Sequence, residues 1–345
     1  MQRVSLAALT RTVAVLLLSL ALGIAGLYLA VGGAVFRPGT YRLQNPGVGV
    51  LALVVIAFLA KWCSPALRIW LLCRRQKIAL PYRSALLAYL AAMFVAALTP
   101  NNTAVGPATA AALSRLGVPL GGGIGIVVQV FVLDLIFFAW AVPAGIGYLV
   151  YAEALRLPPT ARVAAFVMAA LAIVGAAVLT RYPRPLVRSI LAVAKWPPLE
   201  RLSPGLRGIA RDYYRSARTF KRMALPNWLA LNLVTTAGWL SGFVLFWLLL
   251  ELYGVEVGLL ATLALLSSIT LISHVVPTPG ASGFVEAAVG LSIGAGGGAA
   301  AALLIWRLAS FYVIFLLGPP AGWLLYLSRP AAGDASAAHG RRELL

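Results

Sequence analysis

Lys61, Arg68, Asp134, Glu286 and Arg307 stand inside stretches that are otherwise apolar. A charge at mid-depth in hydrocarbon costs about 2.5–3.5 kcal/mol on insertion scales, so each must be neutralised or used. The chemistry open to them is ion pairing and the holding of a charged or polar ligand. Asp134 and Arg307 fall near the middle of their apolar runs, which predicts a pair between them. Glu286, three residues past Gly283, is the other acid that could reach Arg307. Lys61 and Arg68 are seven apart and share a helix face; Arg68 is expected to snorkel to the inner interface, with Lys61 deeper. His274 is one of only 2 histidines, and a satisfied polar contact is expected of it rather than proton relay.

Other chemistry has little to work with. The chain shows no Walker loop, no HExxH, no CxxC pair, no G-x-S-x-G and no acidic cluster for Mg²⁺. Cys63 and Cys73 lie ten apart in one apolar segment, which argues against a disulfide or a metal framework. The expectation is a protein that is not an enzyme and takes no metal or cofactor.

The elements that position these charges are interrupted helices. Pro277-Thr278-Pro279-Gly280-Ala281-Ser282-Gly283-Phe284-Val285-Glu286 breaks an apolar stretch with two prolines and two glycines. A weaker copy, Pro100-Asn101-Asn102-Thr103-Ala104-Val105-Gly106, sets Pro100 opposite Pro277 and Gly106 opposite Gly283. Lipid cannot satisfy the freed N–H and C=O groups, so each break must be packed in protein or line a wet cavity. Such breaks make Pro279, Gly280, Gly283, Asn101, Asn102 and Gly106 candidate site residues. Asn101, Asn102 and Thr103 are expected to cap the half-helix that follows them, with contact to a polar head group as the alternative.

The composition is 61% hydrophobic, with only 9 acidic residues in 345, which is the inventory of an integral membrane protein. The net charge of +19 would point a soluble chain toward nucleic acid. Here the basic residues sit in loops between apolar spans, a positive-inside pattern, so no nucleic acid is expected. Full spans are expected at 12–35, 48–70, 121–143, 161–180, 228–251 and 299–327, each near the roughly 20 residues a crossing helix needs. The shorter segments fold best as two re-entrant hairpins, 84–116 from the cytoplasm and 259–293 from outside. Arg37, Arg42, Arg156 and Arg162 are then outside; Lys61, Arg68 and Arg307 are within spans; the rest of the 28 Lys/Arg are cytoplasmic.

The expected fold is thus all-α and polytopic, a single membrane domain over 1–327. It has about six spans plus two oppositely oriented hairpins, as inverted repeats over about 84–180 and 228–327. Gly121-Gly122-Gly123 and Gly296-Gly297-Gly298 precede the long spans of the two repeats. Both termini, the basic segment 181–227 and a disordered tail 328–345 are placed in the cytoplasm. Within that segment Arg207, Arg211, Arg215, Arg218 and Arg222 recur every three or four residues. Opposite them run Leu206, Ile209, Ala210, Tyr213, Ala217 and Phe220, which predicts a basic amphipathic helix lying on the inner leaflet.

Several stretches together resemble a known family. Lys61-Trp62 through Arg68-Ile69-Trp70-Leu71-Leu72-Cys73-Arg74, Leu98-Thr99-Pro100, Pro277 to Ala287, and Arg307-Leu308-Ala309-Ser310-Phe311-Tyr312 resemble the flippase-like family. That family includes the transmembrane region of lysylphosphatidylglycerol synthase, and the resemblance covers about 50–327. It implies an inner-membrane protein of bacteria or archaea that moves lipids or lipid-linked sugars between leaflets. Pro279, Gly280, Gly283, Glu286 and Arg307 fall on family motif positions. Asp134 matches the aspartate of the family's E-R-x-x-D, but Val130 and Phe131 occupy its first two positions. Pro107 and Ala110 replace a charged pair common in the family, so a site identical to the lysyl-lipid one is not implied. With no transferase domain after Leu327, the chain is expected not to make the lysyl lipid.

The reading that follows is a translocator of a lipid or lipid-linked intermediate with an anionic head group. Its expected partners are membrane phospholipids or a polyprenyl-linked lipid, with a homo-oligomer possible. The rivals are a small-solute secondary transporter, a membrane enzyme acting on a polyprenyl substrate, and a non-transporting subunit of an envelope assembly.

Overall fold

A computed structural model describes residues 6–31, 40–43, 47–100, 102–152, 159–182, 184–193, 203–294 and 296–327. Its elements are α1 (Leu6–Val31), α2 (Val48–Arg75), α3 (Tyr82–Ala97), α4 (Val105–Arg115), α5 (Leu120–Tyr151), α6 (Pro159–Arg181) and α7 (Arg184–Val193). They continue with α8 (Ser203–Lys221), α9 (Leu225–Leu252), α10 (Leu259–Ser273), α11 (Phe284–Ile293), α12 (Gly297–Arg307) and α13 (Ile314–Leu327). A π-turn at Leu308–Tyr312 joins the last two into one apolar span.

The protein is an all-α polytopic membrane protein. Among the described residues, Val48–Arg75, Leu120–Tyr151, Arg162–Leu179, Leu225–Leu252 and Gly297–Leu327 are long and apolar enough to cross a bilayer. These match five of the six expected spans. The first, 12–35, falls on α1 as far as Val31, and 32–35 lie outside the described residues. So does the tail 328–345. Leu29, Val55, Leu171, Leu233 and Leu316 turn outward and are exposed, a surface that suits hydrocarbon rather than water.

Between helices that have no hydrophobic drive to associate in lipid, close approach at small residues does the work. Helix α9 packs along α2 in this way. A side chain at Gly238 would run into Ser64, and one at Gly242 would press on the methylenes of Lys61. Gly145 on α5 faces Ala264 on α10, and Gly318 on α13 leaves room for Phe94 on α3. The two shorter apolar pairs, α3 with α4 and α10 with α11, each pack as helix–break–helix units at the expected places.

The basic segment departs from expectation. Helix α8 does keep Arg207, Arg211, Arg215 and Arg218 exposed, and Arg222 is exposed in the turn that follows it. Its apolar stripe, however, is covered by protein: Ala210, Tyr213 and Phe220 are buried as α8 packs on α5. Gly121 sits beneath the Ile209 carbonyl, and Gly125 beneath Ser216. Gln129 on α5 donates to the Ser216 carbonyl at 3.1 Å and hydroxyl at 2.9 Å, and accepts from Gln76 at 3.2 Å. Burial here pushes the Tyr213 phenol above its ordinary pKa. An amphipathic pattern requires that one face be covered; the glycines of α5 decide that protein covers it. Gly125→Leu is therefore expected to unseat α8, because overpacking costs about 1–3 kcal/mol. Faster proteolysis of the 182–224 segment in detergent would report it; an unchanged digestion rate would show that α8 is held by other contacts.

Candidate functional site

The second break owes its shape to residues that tolerate left-handed backbone. Gly280, Ala281 and Gly283 have φ of 57°, 52° and 88°, a region costly for Ala281. A side chain at Gly280 would strike the Phe311 ring. Glu286, three residues into the turn that starts α11, reaches back so that Oε2 accepts the Gly283 N–H at 2.8 Å. Its other oxygen, Oε1, accepts from Arg307 Nε at 2.6 Å, and both residues are buried. Arg307 Nη2 donates to the Gly280 carbonyl at 3.1 Å and to Ser282 Oγ at 3.3 Å. The guanidinium also lies over the Phe311 and Tyr312 rings, 5.1 and 6.0 Å from their centroids. One arginine thus ties the broken backbone, the α11 carboxylate and the π-turn into a single polar knot.

Helices α1 and α2 close over this knot. Gly23 lies against the Tyr312 hydroxyl and Glu286, and Gly26 against the Gly283 backbone. These two glycines have no breaker or charge beside them, and only a period of three on the α1 face could have drawn attention to them. Trp62 Nε1 donates to the Ala309 carbonyl in the π-turn at 3.0 Å. Lys61 stands next to it, with Nζ 4.6 Å from the Trp62 ring centroid and within electrostatic range of Arg307.

The first break is joined to the second. Pro100 and Pro279 form an isolated antiparallel bridge. Neither Asn102 nor Thr103 caps α4, whose N-cap Ala104 has no side-chain cap; Thr99 Oγ1 accepts the Ala104 N–H at 3.2 Å. Asn101 lies outside the described residues. Asn102 takes a left-handed φ of 54° and holds its Oδ1 buried with no donor among the described residues. Gly106 sits inside α4 against Val127, a packing glycine with none of the backbone strain of Gly283.

Asp134 pairs with Arg68, not with Arg307. It also accepts from Trp239 Nε1 at 2.8 Å, and Tyr89 lies within range of both charges. Arg68 therefore does not snorkel. Helix α2 runs on to Arg75, which leaves Arg68 two turns from its end and 7% exposed. His274, at the end of α10, is exposed; its Nδ1 is 2.7 Å from the Thr270 carbonyl and its ring edges Phe138. Phe138 in turn meets Trp239 edge-on at 4.8 Å, so His274 borders the Asp134 group through aromatic rings.

Among the described residues no three of His, Cys, Asp and Glu gather as metal ligands. The arrangement instead consists of two neutralised ion pairs, Glu286–Arg307 at the second break and Asp134–Arg68 between α5 and α2. Arg68 serves one pair, while Lys61 and Trp62 flank the other. Against this geometry, the profile of the family described as the lysylphosphatidylglycerol synthase TM region matches residues 13–318. No curated protein matches the chain.

Proposed function

The chain belongs to the family of lysylphosphatidylglycerol synthase transmembrane regions, and from that premise we propose that it translocates an anionic lipid across the inner membrane. The cargo is a phospholipid or a polyprenyl-linked intermediate, its head group held where the breaks meet and its acyl chains left in lipid. No bond is made or broken, so the protein acts as a carrier and not as an enzyme. The two halves work as inverted repeats, with opposed re-entrant hairpins, and both termini and 181–227 face the cytoplasm.

The observation that carries this reading is the contact of the two breaks at Pro100 and Pro279, with the Glu286–Arg307 pair buried at the second of them. Irregular backbone at membrane depth is tolerated where it is enclosed by protein or lines a polar path. Broken half-helices meeting at mid-depth are the arrangement by which transporters hold polar cargo. The exposed arginine row of α8 suits the anionic inner leaflet, at about 1 kcal/mol per residue.

The test is movement. The full chain is reconstituted in vesicles carrying head-group-labelled phosphatidylglycerol or labelled polyprenyl phosphate, and the outer-leaflet label is destroyed chemically. Label from the inner leaflet should become accessible with at least one probe faster than in protein-free vesicles. Rates no faster than in protein-free vesicles for both probes, with insertion verified, would remove the translocator reading.

A further inference from the structure

The charges in the spans do not balance. Among the described residues, Lys61, Arg68 and Arg307 face only Asp134 and Glu286, and both carboxylates are taken. Lys61 has no ion pair and no hydrogen bond among them; its ammonium meets only the Trp62 ring. A cation–π contact is worth about 0.5–2 kcal/mol, less than an ammonium loses on leaving water. Arg307 adds a like charge nearby.

The deficit continues along the same helix. Ser64 Oγ and Arg68 Nε are both buried with no hydrogen-bond partner among the described residues. Residues 61, 64 and 68 are spaced i, i+3 and i+7, so their donors lie on one face of α2 over about 10 Å. Opposite them α9 closes tightly, with Gly238 against Ser64 and Gly242 against the Lys61 methylenes. Pro65 lies between them and cannot donate to the Lys61 carbonyl, so α2 is able to bend away from α9 at this point. Unsatisfied donors and a surplus positive charge describe one half of a complex. A neutral sugar would leave the charge uncompensated, whereas phosphate brings both negative charge and acceptor oxygens.

We propose that the α2 face formed by Lys61, Ser64 and Arg68 binds the phosphate of an anionic ligand, with Lys61 as its first contact. This deepens the translocator reading by naming what the site recognises, and it rests on that reading for the direction of use, not for binding.

Thermal unfolding of the full chain in phosphatidylcholine nanodiscs tests it, with inorganic phosphate or added phosphatidylglycerol as the probe. The wild type should be stabilised by at least one of them. A response to inorganic phosphate identifies the free anion as sufficient; a response to phosphatidylglycerol alone identifies the lipid head group. Lys61→Gln should weaken the response about tenfold or more, as loss of one charge-assisted hydrogen bond implies. The same variant should raise the ligand-free melting temperature, because it removes an uncompensated charge; a merely structural lysine would lower it. Lys61→Arg should keep most of the response, and Ser64→Ala should lose part of it. No stabilisation of the wild type by either probe, or an equal response in Lys61→Gln, overturns the proposal. Vesicles that move lipid while Lys61→Gln binds normally would remove this site and keep the translocator; phosphate binding without movement would do the reverse.

Discussion

Replacing Glu286 by glutamine is expected to destabilise the protein by about 3–5 kcal/mol, the range for leaving a buried charge without its partner. Glu286 serves two donors at once, Arg307 Nε and the Gly283 N–H. Glutamine still offers one oxygen to the backbone but cannot neutralise Arg307, which is 6% exposed. Arg307→Gln alone should cost a similar amount by stranding the carboxylate. In the double variant Glu286→Gln plus Arg307→Gln both charges are gone, and a large part of the loss should return. Thermal unfolding in detergent gives all four corners of the cycle. Strict additivity would show that the two residues do not depend on each other, whatever their distance.

The second large effect belongs to Asp134. Asp134→Asn should cost about 3–5 kcal/mol by leaving Arg68 buried and uncompensated. Asp134 is 20% exposed at its side chain, so the lower end of that range is expected. Combining Asp134→Asn with Arg68→Gln should recover part of the loss, while combining it with Arg307→Gln should be additive. Recovery in the Arg307 combination instead would mean that the charges exchange partners, and that the two pairs are not separate.

How far the sequence foretells this arrangement differs by feature. Both breaks are legible, because proline and glycine inside a lipid-length apolar run free backbone groups that hydrocarbon cannot satisfy. The Glu286–Arg307 pair is legible only as one of two alternatives, since hydropathy gives depth along a helix but not rotation around it. Asp134 and Arg307 are both near mid-depth yet face different neighbours. Arg68 is hidden by a boundary: placing the end of the span at 70 puts it at the interface, whereas α2 continues to Arg75 and carries it inside. The apolar stripe of α8 is plain in the sequence, but its cover, Gly121 and Gly125 on α5, is a tertiary choice that no local period encodes. Gly23 and Gly26 on α1 are illegible for the same reason, as their value lies in the Gly283 and Tyr312 surfaces they meet.

The most direct test of the account is lipid movement by the double variant Glu286→Gln plus Arg307→Gln, reconstituted beside the wild type in vesicles with labelled phosphatidylglycerol or polyprenyl phosphate. The variant keeps a neutral knot at the second break, so folding and function can be read apart. With insertion and melting behaviour close to the wild type, the account predicts that movement of the label falls to the protein-free rate. A folded double variant that moves lipid as fast as the wild type would contradict it, and would reduce the charges beside the breaks to scaffolding.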